Sequence, residues 1–333
     1  MSLVELMIAM TISLILLGAV AGIFVSTSKA RNEVERSSRQ IENGRYAAEI
    51  ISDDLRLAGF YGELDVGAIT PAATLPADPC SVNAADWIAA IPVHVQGYND
   101  VAAAPGTCVM PNLKTGTDVL VVRRVQTCLA GVDGCAAEVG TRPYLQVSQC
   151  NDIPPPPSYL LTLGAVAASL KLKSVAPCAA CTCAVTVPRR RYLVNIYFIS
   201  TDNGAGVSVP TLKRLELTGA GWVETPLVEG IEQLQLEYGI DSLPAAVPPA
   251  TTPGDGAPDS YTSAPATVDD WMNVVTAQFY ILARNIDTSP GYADSKTYQL
   301  GSKSVSGGGD GYRRHVFSGL VRITNPASRR DKP

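Results

Sequence analysis

Charge is almost absent from the start of this chain, and histidine from all of it. Only two histidines occur in 333 residues. His94 sits in Ile91-Pro-Val-His-Val-Gln96 and His315 within a strand-like pattern, so both read as structural residues. There is no Gly-x-Ser-x-Gly elbow, P-loop, His-Glu-x-x-His pair or close pair of carboxylates in a recognisable setting. The chain therefore does not read as an enzyme, and no cofactor is expected. A net charge of −5 with 17% charged residues excludes a chain built mainly to neutralise nucleic-acid phosphates. The short basic clusters Arg189-Arg-Arg191, Arg313-Arg314 and Arg329-Arg330 read as solvated patches, and nucleic acid is not an expected partner. No second Cys-x-x-Cys accompanies Cys178-Ala-Ala-Cys181-Thr-Cys183, which argues against zinc.

What is present begins with Glu5, the one charge in the first 28 residues. It stands one step before an uncharged run, Leu6 to Val25. At about 1.5 Å rise per residue, twenty helical residues span roughly 30 Å, the thickness of a hydrocarbon core. A carboxylate at that edge needs a partner, and an N-terminal amine is the obvious one. A signal peptide would have a shorter apolar core and a small-residue cleavage site. This run flows directly into more helix.

These residues carry a resemblance. Met1-Ser2-Leu3-Val4-Glu5-Leu6-Met7-Ile8-Ala9-Met10 is similar to the mature N-terminus of type IV pilins and pseudopilins. The resemblance implies that a basic leader is cut away and that residue 1 is N-methylated, with Met1 in place of the usual phenylalanine. On that reading the chain is already trimmed. Lys29, Arg31, Arg36 and Arg39 follow the span, where positive residues ordinarily mark the cytoplasmic side. They are interleaved with Glu33, Glu35 and Glu42, and the cysteines agree with export, so the rest of the chain is placed outside the inner membrane.

The eight cysteines, Cys80, Cys108, Cys128, Cys135, Cys150, Cys178, Cys181 and Cys183, all lie beyond the apolar span. An even number in an oxidising compartment suggests disulfides. Eight cysteines allow 105 complete pairings. Connectivity stays open, although Cys128 and Cys135 could close a short loop worth roughly 2–3 kcal/mol.

From Ser26 to about Ala58 the helix is expected to continue with a narrow stripe: Val34, Ile41, Ala48 and Leu55 every seven residues, beside Ser37, Gly44, Ile51 and Ala58. The small members would let the chain's own sheet approach closely. Gly59 is the expected C-cap. Residues 63–185 are punctuated by prolines, and only Asp118-Val-Leu-Val-Val-Arg123 reads clearly as a buried strand. Asn151-Asp-Ile-Pro-Pro-Pro-Pro-Ser158 reads as an extended linker. The region is expected to be a disulfide-held cap over the sheet or a ligand-binding insertion. Strand signals return at Tyr192–Ile199, Leu212–Leu217 and Trp222–Leu227 as an antiparallel meander.

Asp53–Gly62, Leu227–Asp241, Asp269–Arg284 and Tyr312–Asn325 resemble, in order, segments of PilW-type minor pilins. The implied fold is α+β, a long N-terminal helix on an antiparallel sheet with a disulfide-rich insertion. The expected divisions are 1–28 (membrane and filament-core helix), 29–60 (its amphipathic half), 61–187 (cysteine-rich insertion) and 188–333 (sheet). Assembly and processing would fall on Met1 and Glu5. Asp241, Asp255 and Asp259 lie where the family often carries an aspartate-rich loop. They are weak calcium candidates, because Pro244 to Pro253 stretch the loop beyond compact EF-like spacing. The implied function is assembly of a type IV pilus near its tip, with other minor pilins, the major pilin, a tip adhesin and the inner membrane as partners. The alternatives are a minor pseudopilin of type II secretion and an adhesive or DNA-binding tip module.

Overall fold

The computed structural model describes residues 2–69, 78–132, 134–148, 158–171, 185–219, 221–242 and 254–330. Its first element is one uninterrupted helix, α1 (Leu3–Leu57), 55 residues long. Such a helix is about 80 Å from end to end. It ends one residue before the expected cap: Ala58 is the cap, and Gly59 follows with φ +72°, a left-handed conformation that costs glycine little.

Two sheets receive the second half of α1. The larger contains β1 (Val95–Val101), β2 (Thr117–Val125), β3 (Pro143–Val147), β4 (Tyr159–Leu163), β5 (Arg190–Ser200), β6 (Thr211–Leu217) and β7 (Trp222–Glu229). The order is β1-β2-β5-β3-β4, with the meander β5-β6-β7 continuing from β5. The smaller sheet runs β13 (Arg314–Arg322), β10 (Val274–Arg284), β8 (Ile231–Ile240) and β9 (Ser260–Thr262), all antiparallel. A hairpin, β11 (Thr297–Leu300) and β12 (Lys303–Ser306), three short α-helices, α2 (Ala84–Ala89), α3 (Val268–Met272) and α4 (Thr324–Arg330), and a single 3-10 turn, Val66–Ala68, complete the described elements.

The segment between α1 and the meander is more ordered than its prolines suggest. Four strands form there instead of one, and β2 pairs with β5 from Leu120↔Tyr197 to Val125↔Tyr192. The 61–187 and 188–333 segments thus share one sheet. Short polar strands such as Val95-Gln-Gly-Tyr-Asn-Asp-Val101 carry little local signal, and sheet neighbours supply what propensity does not.

Both faces of the large sheet are buried. One packs Leu120, Val122, Tyr197 and Ile199 against the small sheet and against Ala47, Ile51 and Leu55 of α1. The other packs Val119, Val121, Ile196 and Phe198 beneath Tyr61, Trp87 and Ile91, with the Cys80–Cys108 disulfide in the same cluster. Within the described residues the cysteine-rich segment therefore covers the sheet. Cys128 and Cys135 are also bonded, with Cα atoms 6.1 Å apart. Cys150, Cys178, Cys181 and Cys183 lie outside the described residues.

The buried stripe of α1 differs from the heptad reading. Val34 is 67% exposed and Ile41 39%, whereas Gln40, Gly44, Ala47, Ile51, Asp54 and Leu55 are buried. A straight helix turns every 3.6 residues, so a strict seven-residue row drifts off a flat sheet. The row that stays on the sheet includes polar residues, which an apolar pattern passes over.

Candidate assembly site at the N-terminal helix

The site is a helix in two physical regimes. Every described residue from Ser2 to Asn32 is exposed, and the most apolar 18-residue window, mean hydropathy 2.5, has no part buried. Leu14, Ile15, Leu17, Ile23 and Phe24 each expose about 70% or more of their surface except Ile23 at 68%. Burying apolar surface is worth roughly 25 cal/mol per Å², so a bare rod of such side chains demands a bilayer or neighbouring helices.

Glu5 stands at the tip. It forms a capping box with its own helix: the Ser2 N–H donates to Glu5 Oε2 at 3.0 Å, and Ser2 Oγ accepts from the Val4 N–H at 3.3 Å. A carboxylate in the first turn also complements the positive end of the helix dipole. Glu5 is thus held in place at the exposed tip of the helix. Met1 lies outside the described residues.

From Glu33 onward, polar contacts bind the helix to the sheets. Glu33 accepts from Arg313 Nε at 2.5 Å, and Ser289 Oγ donates to it as well; that serine bond, with Arg313 and Arg36, holds the carboxyl below the usual carboxylate range. Gln40 Nε2 donates to the carbonyls of Ala283 at 2.8 Å and Arg313 at 2.9 Å. Gly44 faces Phe317 of β13 so closely that a Cβ there would overlap the ring. Asp54 closes the series as the common acceptor of Arg124 Nε at 2.6 Å, Asn195 Nδ2 at 2.8 Å and the Tyr197 hydroxyl at 2.9 Å. Backbone and side chains of both sheets therefore fix the helix axially, and the bare half projects from a rigid base.

The other candidates are committed elsewhere. Asp241, 1% exposed, pairs with Arg330 at 3.2 Å and accepts from the Gly256 N–H. Asp255 accepts from the Ala257 N–H, and Asp259 from Ser242. The three do not converge, and among the described residues no group of three or more His, Cys, Asp or Glu side chains could hold a metal ion. The arginine clusters are committed to partners in the same chain: Arg189 pairs with Glu138, Arg190 with Glu63, Arg191 with Glu216, the exposed Arg313 with Glu33, and the exposed Arg329 donates from Nη2 to the Gly59 carbonyl. Arg314, its side chain 4% exposed, joins Glu232, Asp294 and Asp310. His94 is buried with Nε2 2.8 Å from the Val274 carbonyl, and burial, helped by Arg329, lowers its pKa to about 3. His315 packs edge-on against Phe317.

A long apolar helix, bare for half its length and seated on antiparallel sheet for the other half, defines a type IV pilin-like protein. Residues 196–325 match the family model of the Type IV Pilus-assembly protein W, PilW, and this match supports a PilW-type pilin. A type IV-like pilin from Thermus thermophilus aligns at 12% identity and TM-score 0.28, covering 63% of this chain and 78% of that one. No curated protein matches the chain.

Proposed function

We propose that this protein is a minor pilin that helps prime a type IV pilus and stays near its tip. The observation that carries this reading is the bare apolar helix from Leu3 to Asn32 on a rigid domain. Before assembly the helix sits in the inner membrane with the sheets on the periplasmic side. During assembly the bilayer contacts are exchanged for helices of other minor pilins and the major pilin. Such an exchange is close to isoenergetic in apolar contact, so a polar feature must set the axial register. Glu5 is that feature: its carboxylate meets the N-terminal amine of the adjacent subunit, and a charge pair removed from water is costly in any other register. The domain acts through partners and turns over no substrate.

The test is Glu5→Leu in the full-length chain. Leucine keeps the helix and its insertion, so the variant is expected in the membrane at wild-type level but reduced at least several-fold in sheared filaments and in pull-downs of other pilins. Wild-type incorporation would refute the register role. Failure of the wild-type protein to co-purify with any pilus component would refute the assembly reading itself.

A further inference from the structure

Between its apolar run and its seat on the sheets, α1 carries a short polar collar. Inside the run, Thr11 Oγ1 donates to the Ile8 carbonyl at 2.9 Å and Ser13 Oγ to the Ala9 carbonyl at 2.7 Å. Both hydroxyls are thus satisfied within the helix, as a hydrocarbon surrounding requires. Ser26, Thr27 and Ser28 make no such bond: their exposed hydroxyls have no partner among the described residues. Lys29 and Arg31 follow, also exposed and without an ion pair or hydrogen bond among the described residues. The nearest acids are engaged elsewhere, Glu33 with Arg313, Glu35 with Arg39, and Asp287 at 4.0 Å from Arg36. Along the helix Lys29 lies about 6 Å and Arg31 about 9 Å beyond Val25. The first contact with the sheet loops, Glu33 with Ser289 and Arg313, comes about 12 Å beyond Val25. A headgroup layer is roughly 5–8 Å deep on each side of the hydrocarbon core. Helical side chains lean toward the N-terminus, which carries both cations back into that layer.

We propose that Lys29 and Arg31 bind the phosphates of anionic phospholipids. The two residues are about 200° apart around the helix, so each takes a separate lipid. Arg31 offers its planar fork to phosphate oxygens and Lys29 a point charge, while the hydroxyls of Ser26, Thr27 and Ser28 donate to the same headgroups. Charge complementarity selects the ligand: two unpaired cations face no free acid of their own chain, and a zwitterionic headgroup brings an ammonium that competes with them. Continuity with the apolar run holds the acyl chains of these lipids against α1. The contact sets the depth of the anchor, because Glu5, 24 residues back, then lies about 36 Å away at the opposite edge of the core. It also retains the unassembled subunit, since the lipids must be released before the helix enters a filament. The site rests on the membrane-anchored reading of α1.

The experiment reconstitutes the full-length chain into vesicles of phosphatidylcholine with one quarter phosphatidylglycerol. Flotation checks insertion, and native mass spectrometry after mild detergent extraction counts the retained lipids. Each cation near an anionic surface is worth about a fivefold preference. Wild type should therefore retain phosphatidylglycerol over phosphatidylcholine at several times the vesicle ratio. The double variant Lys29→Gln with Arg31→Gln should float equally well but retain the two lipids at the vesicle ratio. Exchanging the two cations, Lys29→Arg with Arg31→Lys, should restore the enrichment. Arg56→Gln, which removes a cation near the far end of α1, should leave it unchanged. Wild type that floats with lipids at the vesicle ratio, or equal enrichment in wild type and the double glutamine variant, overturns the lipid site alone. Wild type that fails to float with the vesicles overturns the membrane-anchored reading, and the lipid site with it.

Discussion

Replacing Asp54 with alanine should loosen the helix from its base, and the structure sets the size of the effect. The carboxylate serves three donors at once: Arg124 at 2.6 Å, Asn195 at 2.8 Å and Tyr197 at 2.9 Å. Removing one side of a buried ion pair costs about 3–5 kcal/mol, chiefly because the remaining groups stay buried unpaired. Asn195 and Tyr197 are 4% and 1% exposed and cannot turn to water. The Arg124 side chain keeps 17% of its surface exposed, which lets solvent recover part of the loss. Alanine gains a few tenths of a kcal/mol in helix propensity over aspartate. The net expectation is about 3 kcal/mol. Asp54→Asn keeps the shape and one acceptor, so it should cost about 1–2 kcal/mol. Denaturant unfolding of the detergent-solubilised protein, followed by tryptophan fluorescence, is the assay, since Trp87, Trp222 and Trp271 all lie in the globular part. A loss below 1 kcal/mol for Asp54→Ala, or equal losses for the two variants, would refute the argument.

Breaking the Cys80–Cys108 disulfide, which spans 28 residues, should cost more than breaking Cys128–Cys135, which spans 7; the chain-entropy model gives about 3.6 against about 2.4 kcal/mol, and paired serine variants compared by urea midpoint would test the order. Gly44→Leu is expected to destabilise by roughly 1–3 kcal/mol despite better helix propensity, because the side chain must displace the Phe317 ring; an unchanged midpoint would refute it. His94, lowered from its ordinary 6.5 to about 3, stays neutral in the folded state while the unfolded chain takes up a proton. Stability should therefore fall as pH drops from 6.5 towards 3. Asp118, raised by burial from 3.8 to about 6, acts with the opposite sign, costing stability as pH rises through that window. His94→Gln isolates the histidine part: calorimetry at pH 7 and pH 5 should show a smaller drop than in wild type, and an equal drop would refute the assignment.

How much of this was legible in the residues differs by element. The pilin-like N-terminus, the meander and the PilW-like order of segments could be read because each rests on local pattern: an apolar run of membrane length, period-two alternation, turn residues between strands. The Cys128–Cys135 loop was legible only as one possible pairing, because closeness in sequence permits a short loop without excluding the other pairings of eight cysteines. The seam of α1 was read only in part. Gly44, Ile51, Leu55 and Ala58 are buried as their spacing suggests, but Val34 and Ile41 are exposed, and Gln40 and Asp54 occupy places an apolar pattern assigns to no one. A polar residue becomes a core residue only when donors or acceptors from distant strands meet it. The Arg314 cluster was illegible for the same reason.

By itself the sequence determined the regime of the first half of the helix. Twenty consecutive uncharged residues and one carboxylate require an apolar surrounding whatever the rest of the chain does, because burial free energy adds along a run of local side chains. Tertiary structure alone decided the face of the second half, the union of the cysteine-rich segment with the meander in one sheet, and the pairing of the arginine clusters with carboxylates and carbonyls of the same chain. These depend on pairings between residues a hundred or more positions apart, such as Asp54 with Tyr197 and Glu33 with Arg313. Each pairing repays its desolvation only when the whole fold holds both partners in place.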